Sequence, residues 1–285
     1  MKNDNLAFLR NDLKYLGFGE AITFNEQLER EILKGTDEFQ LRTEARFDEW
    51  TNLEATLYFR KGDNYDMYFF NKYDALLTYE GDPRRNKAQT FYVSKGKGVT
   101  FKEAFNLLEG RAVFKNLIDA EGVKYHAWIQ LSFSERIANN TNYRVRQFGE
   151  RYGYDLEKVL SNYPIRELDD EKLRIHLLYS LKKGNVHPVT FAKSSKIETM
   201  FIEACPEFKT ITIHSELTRA VQRPSLSKGN RIKEVASILP TDPESPPEIE
   251  EKEEEKNEEK EPPVESQAVM NGSTVKKRNR RPDSL

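Results

Sequence analysis

The chain has 285 residues, of which 37% are hydrophobic and 32% charged. That length admits one large domain or two modest ones, and the polar balance points to an unstructured part. A net charge of −2 and a single cysteine, Cys205, exclude a strongly basic DNA-binding footprint and an intrachain disulfide.

Met1 to Asp12 carry charges where a signal peptide needs an apolar run, and no stretch reaches transmembrane length. The expectation is a cytoplasmic chain without membrane contact. Leu6, Leu9, Leu13 and Leu16 recur at helical spacing until Gly17-Phe18-Gly19 breaks the run. Asn25 reads as the cap of a second helix, with Glu26 and Glu29 in its first turn and Lys34-Gly35 closing it. Alternating apolar residues then predict strands over Phe39–Phe47 and Ala55–Phe59. Met67–Leu77 is aromatic on both faces, as a central strand would be. Lys61-Gly62-Asp63-Asn64 is a hairpin turn by composition. Lys95-Gly96-Lys97-Gly98 lacks the full spacing of a phosphate loop and reads as a turn. It leads into a helix where Thr100 and Glu103 form a capping box and Gly110 is the stop.

A second unit repeats the plan. Strands are expected over Arg111–Leu117, Tyr125–Phe133 and Tyr143–Phe148. Helices follow from Asp155 to Ser161 and from an Asp169 cap to Lys183-Gly184. Strands at Val189–Lys193, Met200–Glu203 and Phe208–His214 close the unit. The Lys-Gly stop before Asn185 echoes the one before Thr36; duplication and local convergence on the same helix ending explain it equally.

Within this unit Tyr125, Ala127, Ile129, Leu131 and Phe133 share one strand face, which should lie on a core. The other face carries His126, Trp128, Gln130 and Ser132. A tryptophan among polar neighbours either packs under a covering helix or meets a partner, and covering is the expected outcome. Arg144 and Arg146 project from a nearby strand among aromatic residues. With Trp128 they could pair phosphates and stack bases, or simply form a solvated face paired with acids such as Glu150 and Asp155.

Residues 241–285 hold eight Lys/Arg against thirteen Asp/Glu, which leaves 37 against 34 in residues 1–240. Six of the twelve prolines lie between Pro240 and Pro263, among ten glutamates, so this tail should be disordered. Its Lys276, Lys277, Arg278, Arg280 and Arg281 form a basic cluster that either contacts nucleic acid or an acidic partner, or is a solvated terminus.

No Walker A loop, dinucleotide fingerprint, HExxH or nucleophile elbow occurs, and His126, His176, His187 and His214 are scattered. No catalytic residue, metal ligand or cofactor is therefore assigned.

The run from Asn106 to Lys115, Glu121–Leu131, Ala55–Arg60, Met67–Tyr73 and Met200–Ala204 together resemble one family. It is an uncharacterised domain-of-unknown-function family carried by conjugative transposons and related mobile elements of Bacteroidetes-type bacteria. The resemblance covers roughly residues 5–215 and stops at the tail. It implies an accessory protein of a mobile element and brings no catalytic residue or cofactor.

These readings converge on an α+β chain. Two small mixed units, 1–109 and 110–240, each carry a mostly antiparallel sheet with helices on one face, and the acidic tail 241–285 follows. The leading functional expectation is a non-enzymatic binding module for nucleic acid or a protein partner, with His126, Trp128, Gln130, Arg144, Arg146 and the tail cluster as contact residues. The alternatives are an enzyme of unrecognised type with scattered catalytic residues and a structural protein that assembles through exposed aromatics. A pocket joining His126 to an acid would favour the enzyme, a flat basic face the nucleic acid, and a broad apolar patch the assembly.

Overall fold

Leu6, Leu9 and Leu13 form the buried stripe of helix α1 (Lys2–Tyr15), continued by buried Leu16 in the turn that ends, as the sequence predicts, at Gly17. The computed structural model describes residues 2–18, 22–63, 66–94, 98–119, 121–137, 142–193 and 196–215, all within one compact unit. Lys95 to Lys97 of the Gly-rich turn and the whole of 241–285, with Lys276, Lys277, Arg278, Arg280 and Arg281, lie outside them. Helix α2 (Ile22–Lys34) starts earlier than expected. Its stripe is Phe24, Leu28 and Ile32, so Asn25 sits inside the helix rather than capping it.

A four-stranded antiparallel meander follows: β1 (Glu38–Ala45), β2 (Thr51–Lys61), β3 (Tyr68–Tyr79) and β4 (Lys87–Tyr92), in that spatial order. One face is buried under α1, α2 and the next helix, with Phe39, Leu53, Leu57, Phe59, Phe70 and Leu77 in the core. Asn5 ties α1 to the sheet. Its Nδ2 donates to the Tyr68 carbonyl at 3.0 Å and its Oδ1 accepts from the Tyr68 amide at 2.8 Å.

Strand β3 is central, between β2 and β4, and a bulge accounts for its aromatic residues at both parities. Tyr58 pairs with Lys72 but Phe59 with Phe70, so Asn71 is an extra residue and the alternation changes phase there. Tyr68, Phe70 and Tyr73 all turn inward as a result, and Phe69 is left outside. Strand β4 carries no sequence signal of its own; pairing with β3 creates it.

Helix α3 (Phe101–Leu108) has the predicted capping box: Thr100 Oγ1 accepts from the Glu103 amide, and Glu103 Oε2 from the Thr100 amide. It is buried on nearly every side, Glu103 and Asn106 included. Both polar groups are matched. Glu103 pairs with Lys115 at 2.7 Å and Lys183 at 3.6 Å, and Asn106 donates to the Lys183 carbonyl while accepting from Arg111.

The second sheet comprises β5 (Val113–Ile118), β6 (Lys124–Arg136) and β7 (Tyr143–Gly149), antiparallel with β6 central. It is covered on both faces. Val113, Ile129, Leu131 and Tyr143 complete the first core, and Trp128 and Phe148 enter a second one. Helices α4 (Leu156–Leu160) and α5 (Glu171–Lys182) and the third sheet build the rest of that core. The third sheet is β8 (His187–Lys193), β9 (Lys196–Cys205) and β10 (Thr210–His214), ordered β10-β9-β8. Asp155, where the sequence reading begins the helix, is the cap of α4; α5 is capped by Asp170 rather than Asp169, which ends a 3-10 turn at Arg166–Leu168. The chain is thus α+β with three antiparallel sheets, and among the described residues no helix is long and apolar enough to cross a membrane.

Candidate interaction surface

The residues singled out on the second sheet do share one face. Register places Gln130 beside Arg146 and Ser132 beside Arg144. Trp128 is only 4% exposed, edge-on to Phe114 and Tyr154, so the covering layer is the alternative present. Gln130 donates to the Gly110 carbonyl at 2.8 Å. The two arginines are paired, with acids other than those nearest in sequence: Arg144 with Glu135 at 3.1 Å and Arg146 with Glu207 at 2.6 Å. His126 is exposed, stacked on Phe114 and bonded to Asn116 Oδ1 rather than to an acid.

A different face is less spent. Among the described residues no helix packs on the outer side of the first sheet, and register arranges its side chains in rows across the strands. One row runs Gln40, Tyr58, Lys72, Tyr92, and the next Arg42, Thr56, Asp74, Thr90. Arg60 and Phe69 pair beyond the first of these. Tyr92 is 73% exposed and Phe69 37%. Lys72 Nζ lies 4.6 Å from the centre of the Tyr58 ring, a cation–π contact that keeps the ammonium on the surface.

Asp74, the acid in the middle of the face, is held by two hydroxyls. Tyr58 donates to it at 2.6 Å and Thr90 at 2.7 Å. The bond to that carboxylate, with burial, raises the Tyr58 pKa, so the phenol stays protonated and its ring orientation is set. Arg60 pairs with Glu38 and Asp63, but these pairs are solvent-exposed and weak. Farther along β2 the row Glu44, Glu54, Leu76, Ala88 turns acidic and apolar. The face therefore has an aromatic-basic end and a mixed end, and past the mixed end β2 and β3 border a cleft of about 270 Å³ beside Trp50.

Perturbed titratable groups elsewhere have structural work. Tyr79 donates to Glu109 at 2.5 Å, and burial raises its pKa. Lys87 donates to the Leu108 carbonyl at 2.9 Å, closing the end of α3, and burial lowers its pKa. His187, partly buried between His176 and Ser180, has its pKa lowered to about 4 by burial and by His176. Among the described residues no group of three or more His, Cys, Asp or Glu is placed to hold a metal ion.

Sequence reasoning missed the first-sheet face for a physical reason. Tyr58, Lys72 and Tyr92 come from three strands, one of them without a sequence signal, and a bulge sets which parity faces outward. Comparison of the chain with protein-family models, with curated proteins and with solved structures finds no match.

Proposed function

We propose that this chain is a non-enzymatic binding module of a mobile genetic element, and that it holds single-stranded nucleic acid on the open face of its first sheet. The mobile-element context rests on the sequence resemblance described above. The row Tyr58–Lys72–Tyr92 carries the nucleic-acid reading. It offers two aromatic rings and an ammonium side by side on an antiparallel sheet face that no described helix covers. Bases stack on such rings whatever their identity, while a neighbouring cation pairs the backbone. Residues 1–240 are only mildly basic, so stacking supplies most of the affinity and the salt dependence is shallow.

Fluorescence anisotropy with labelled single-stranded DNA and RNA tests this. Tyr92→Ala removes one stacking surface and should weaken binding by about 1–3 kcal/mol. Lys72→Ala should lower the slope of log K against log salt by about 0.7, the value for one phosphate contact on a single strand. The double change Arg144→Ala, Arg146→Ala on the second sheet should alter neither. Absence of binding to any oligonucleotide, with a protein partner retained after nuclease treatment of lysates, would overturn the reading in favour of a protein-binding module.

A further inference from the structure

The cleft beyond the mixed end of the open face has a composition that the stacking row does not explain. Glu80 donates its amide to the Trp50 carbonyl at 2.9 Å, one position past the Thr51–Tyr79 pair. Thr51 and Tyr79 point into the core, so Trp50 and Glu80 fall on the outer face, next to the Asn52–Thr78 pair. They are cross-strand neighbours, and Trp50 is 42% exposed.

Most polar side chains lining the cleft are already engaged. The Thr51 hydroxyl donates to Asp48, Asn52 Nδ2 to Glu44, the Thr78 hydroxyl to the Asn52 carbonyl, and Tyr79 to Glu109. Arg46 and Glu80 also line it, and neither side chain has a hydrogen bond or ion pair among the described residues. An aromatic surface, one uncommitted carboxylate and one uncommitted guanidinium therefore border a space below the usual ~300–1,000 Å³ of drug-sized pockets. The space suits a single flat ring system.

We infer that this cleft is a base-recognition pocket that selects guanine from a single strand lying on the sheet. The inference rests on the nucleic-acid reading of the open face. Guanine alone among the bases presents two adjacent N–H donors, at N1 and N2, on its Watson–Crick edge. A carboxylate accepts both at once, and Glu80 is the carboxylate with that capacity to spare. The indole of Trp50 supplies the stacking surface, and Arg46 pairs the phosphate of the same nucleotide. Tyr58 lies eight positions along the chain from Trp50, roughly 26 Å of extended strand. That span lies within the footprint of roughly 4–16 nucleotides of sheet-based single-strand binders.

The test uses the full chain with oligothymidine and the same oligomer carrying one guanine, one inosine or one adenine. The guanine oligomer should bind roughly tenfold or more tightly than the adenine oligomer, with inosine between them because it lacks the N2 donors. Glu80→Gln should abolish that preference and leave oligothymidine affinity unchanged. Trp50→Ala should weaken all guanine-containing oligomers, with Trp50→Phe restoring most of the loss. Trp128 is buried in the second core, so quenching of tryptophan fluorescence by the guanine oligomer reports on Trp50. Equal affinity for guanine and adenine oligomers, or a preference that survives Glu80→Gln, overturns the pocket while leaving the stacking row intact. Failure of every oligomer to bind, with Tyr92→Ala without effect, overturns the pocket and the parent reading together.

Discussion

At the scale of single residues, His187 shows how burial rather than chemistry perturbs a side chain. It bonds to Ser180, abuts His176 and lies near Glu167, and its pKa in the folded chain is about 4 against an ordinary 6.5. The unfolded chain therefore binds an extra proton between those two values, and stability rises with pH across that window. Full stability is present above pH 6.5. Acidification through pH 4 should cost on the order of 3 kcal/mol from this residue. Urea denaturation at pH 7 and pH 4.5, with His187→Gln flattening the difference, measures it. An unchanged difference in the variant would assign the acid sensitivity to other groups. The paired arginines teach a related lesson: Arg146 is matched by Glu207, 61 positions away, which no local reading of charge anticipates.

Between elements, one close join is where α5 ends against the start of β5. Gly184 follows α5 with φ +80, and a Cβ there would stand 2.8 Å from the Ala112 carbonyl and 2.9 Å from Val113 Cγ2. Gly35 ends α2 with a similar φ of +75 but has open space around it. Gly35→Ala should therefore cost only the ~1–2 kcal/mol of a left-handed backbone. Gly184→Ala carries that penalty plus a backbone collision and should be clearly worse, by more than ~1 kcal/mol on thermal denaturation. Equal costs would mean that the α5–β5 join yields freely. Asn106 reinforces the join by bonding the Lys183 carbonyl and the Asn185 side chain.

For the molecule as a whole, the second sheet is a wall shared by two cores. Ile129 and Trp128 are consecutive on β6 and enter different cores. Truncating either one opens a cavity, with expected costs of about 2–5 kcal/mol for Ile129→Ala and 3–5 for Trp128→Ala. Because β6 belongs to both cores, each loss should move the entire unfolding curve. For Ile129→Ala, midpoints by far-UV circular dichroism and by tryptophan fluorescence should coincide. Two separated transitions would show that the cores unfold independently.

What the sequence determined by itself was local. Leucine spacing in α1, the Thr100–Glu103 box and the glycine stops depend on neighbours within a few residues, so they could be read directly. The burial of Trp128 was also legible, because a bulky indole normally recruits a cover. Only tertiary structure decided the outer face of the first sheet. Its aromatic-basic row is assembled from three strands, its phase depends on the extra residue at Asn71, and β4 exists because β3 pairs with it. The Trp50 cleft is likewise invisible in one dimension, since Glu80 reaches it from thirty positions away through a single ladder bond. Backbone propensity acts between near neighbours, whereas pairing register and the exposure of a face are properties of the assembled sheet.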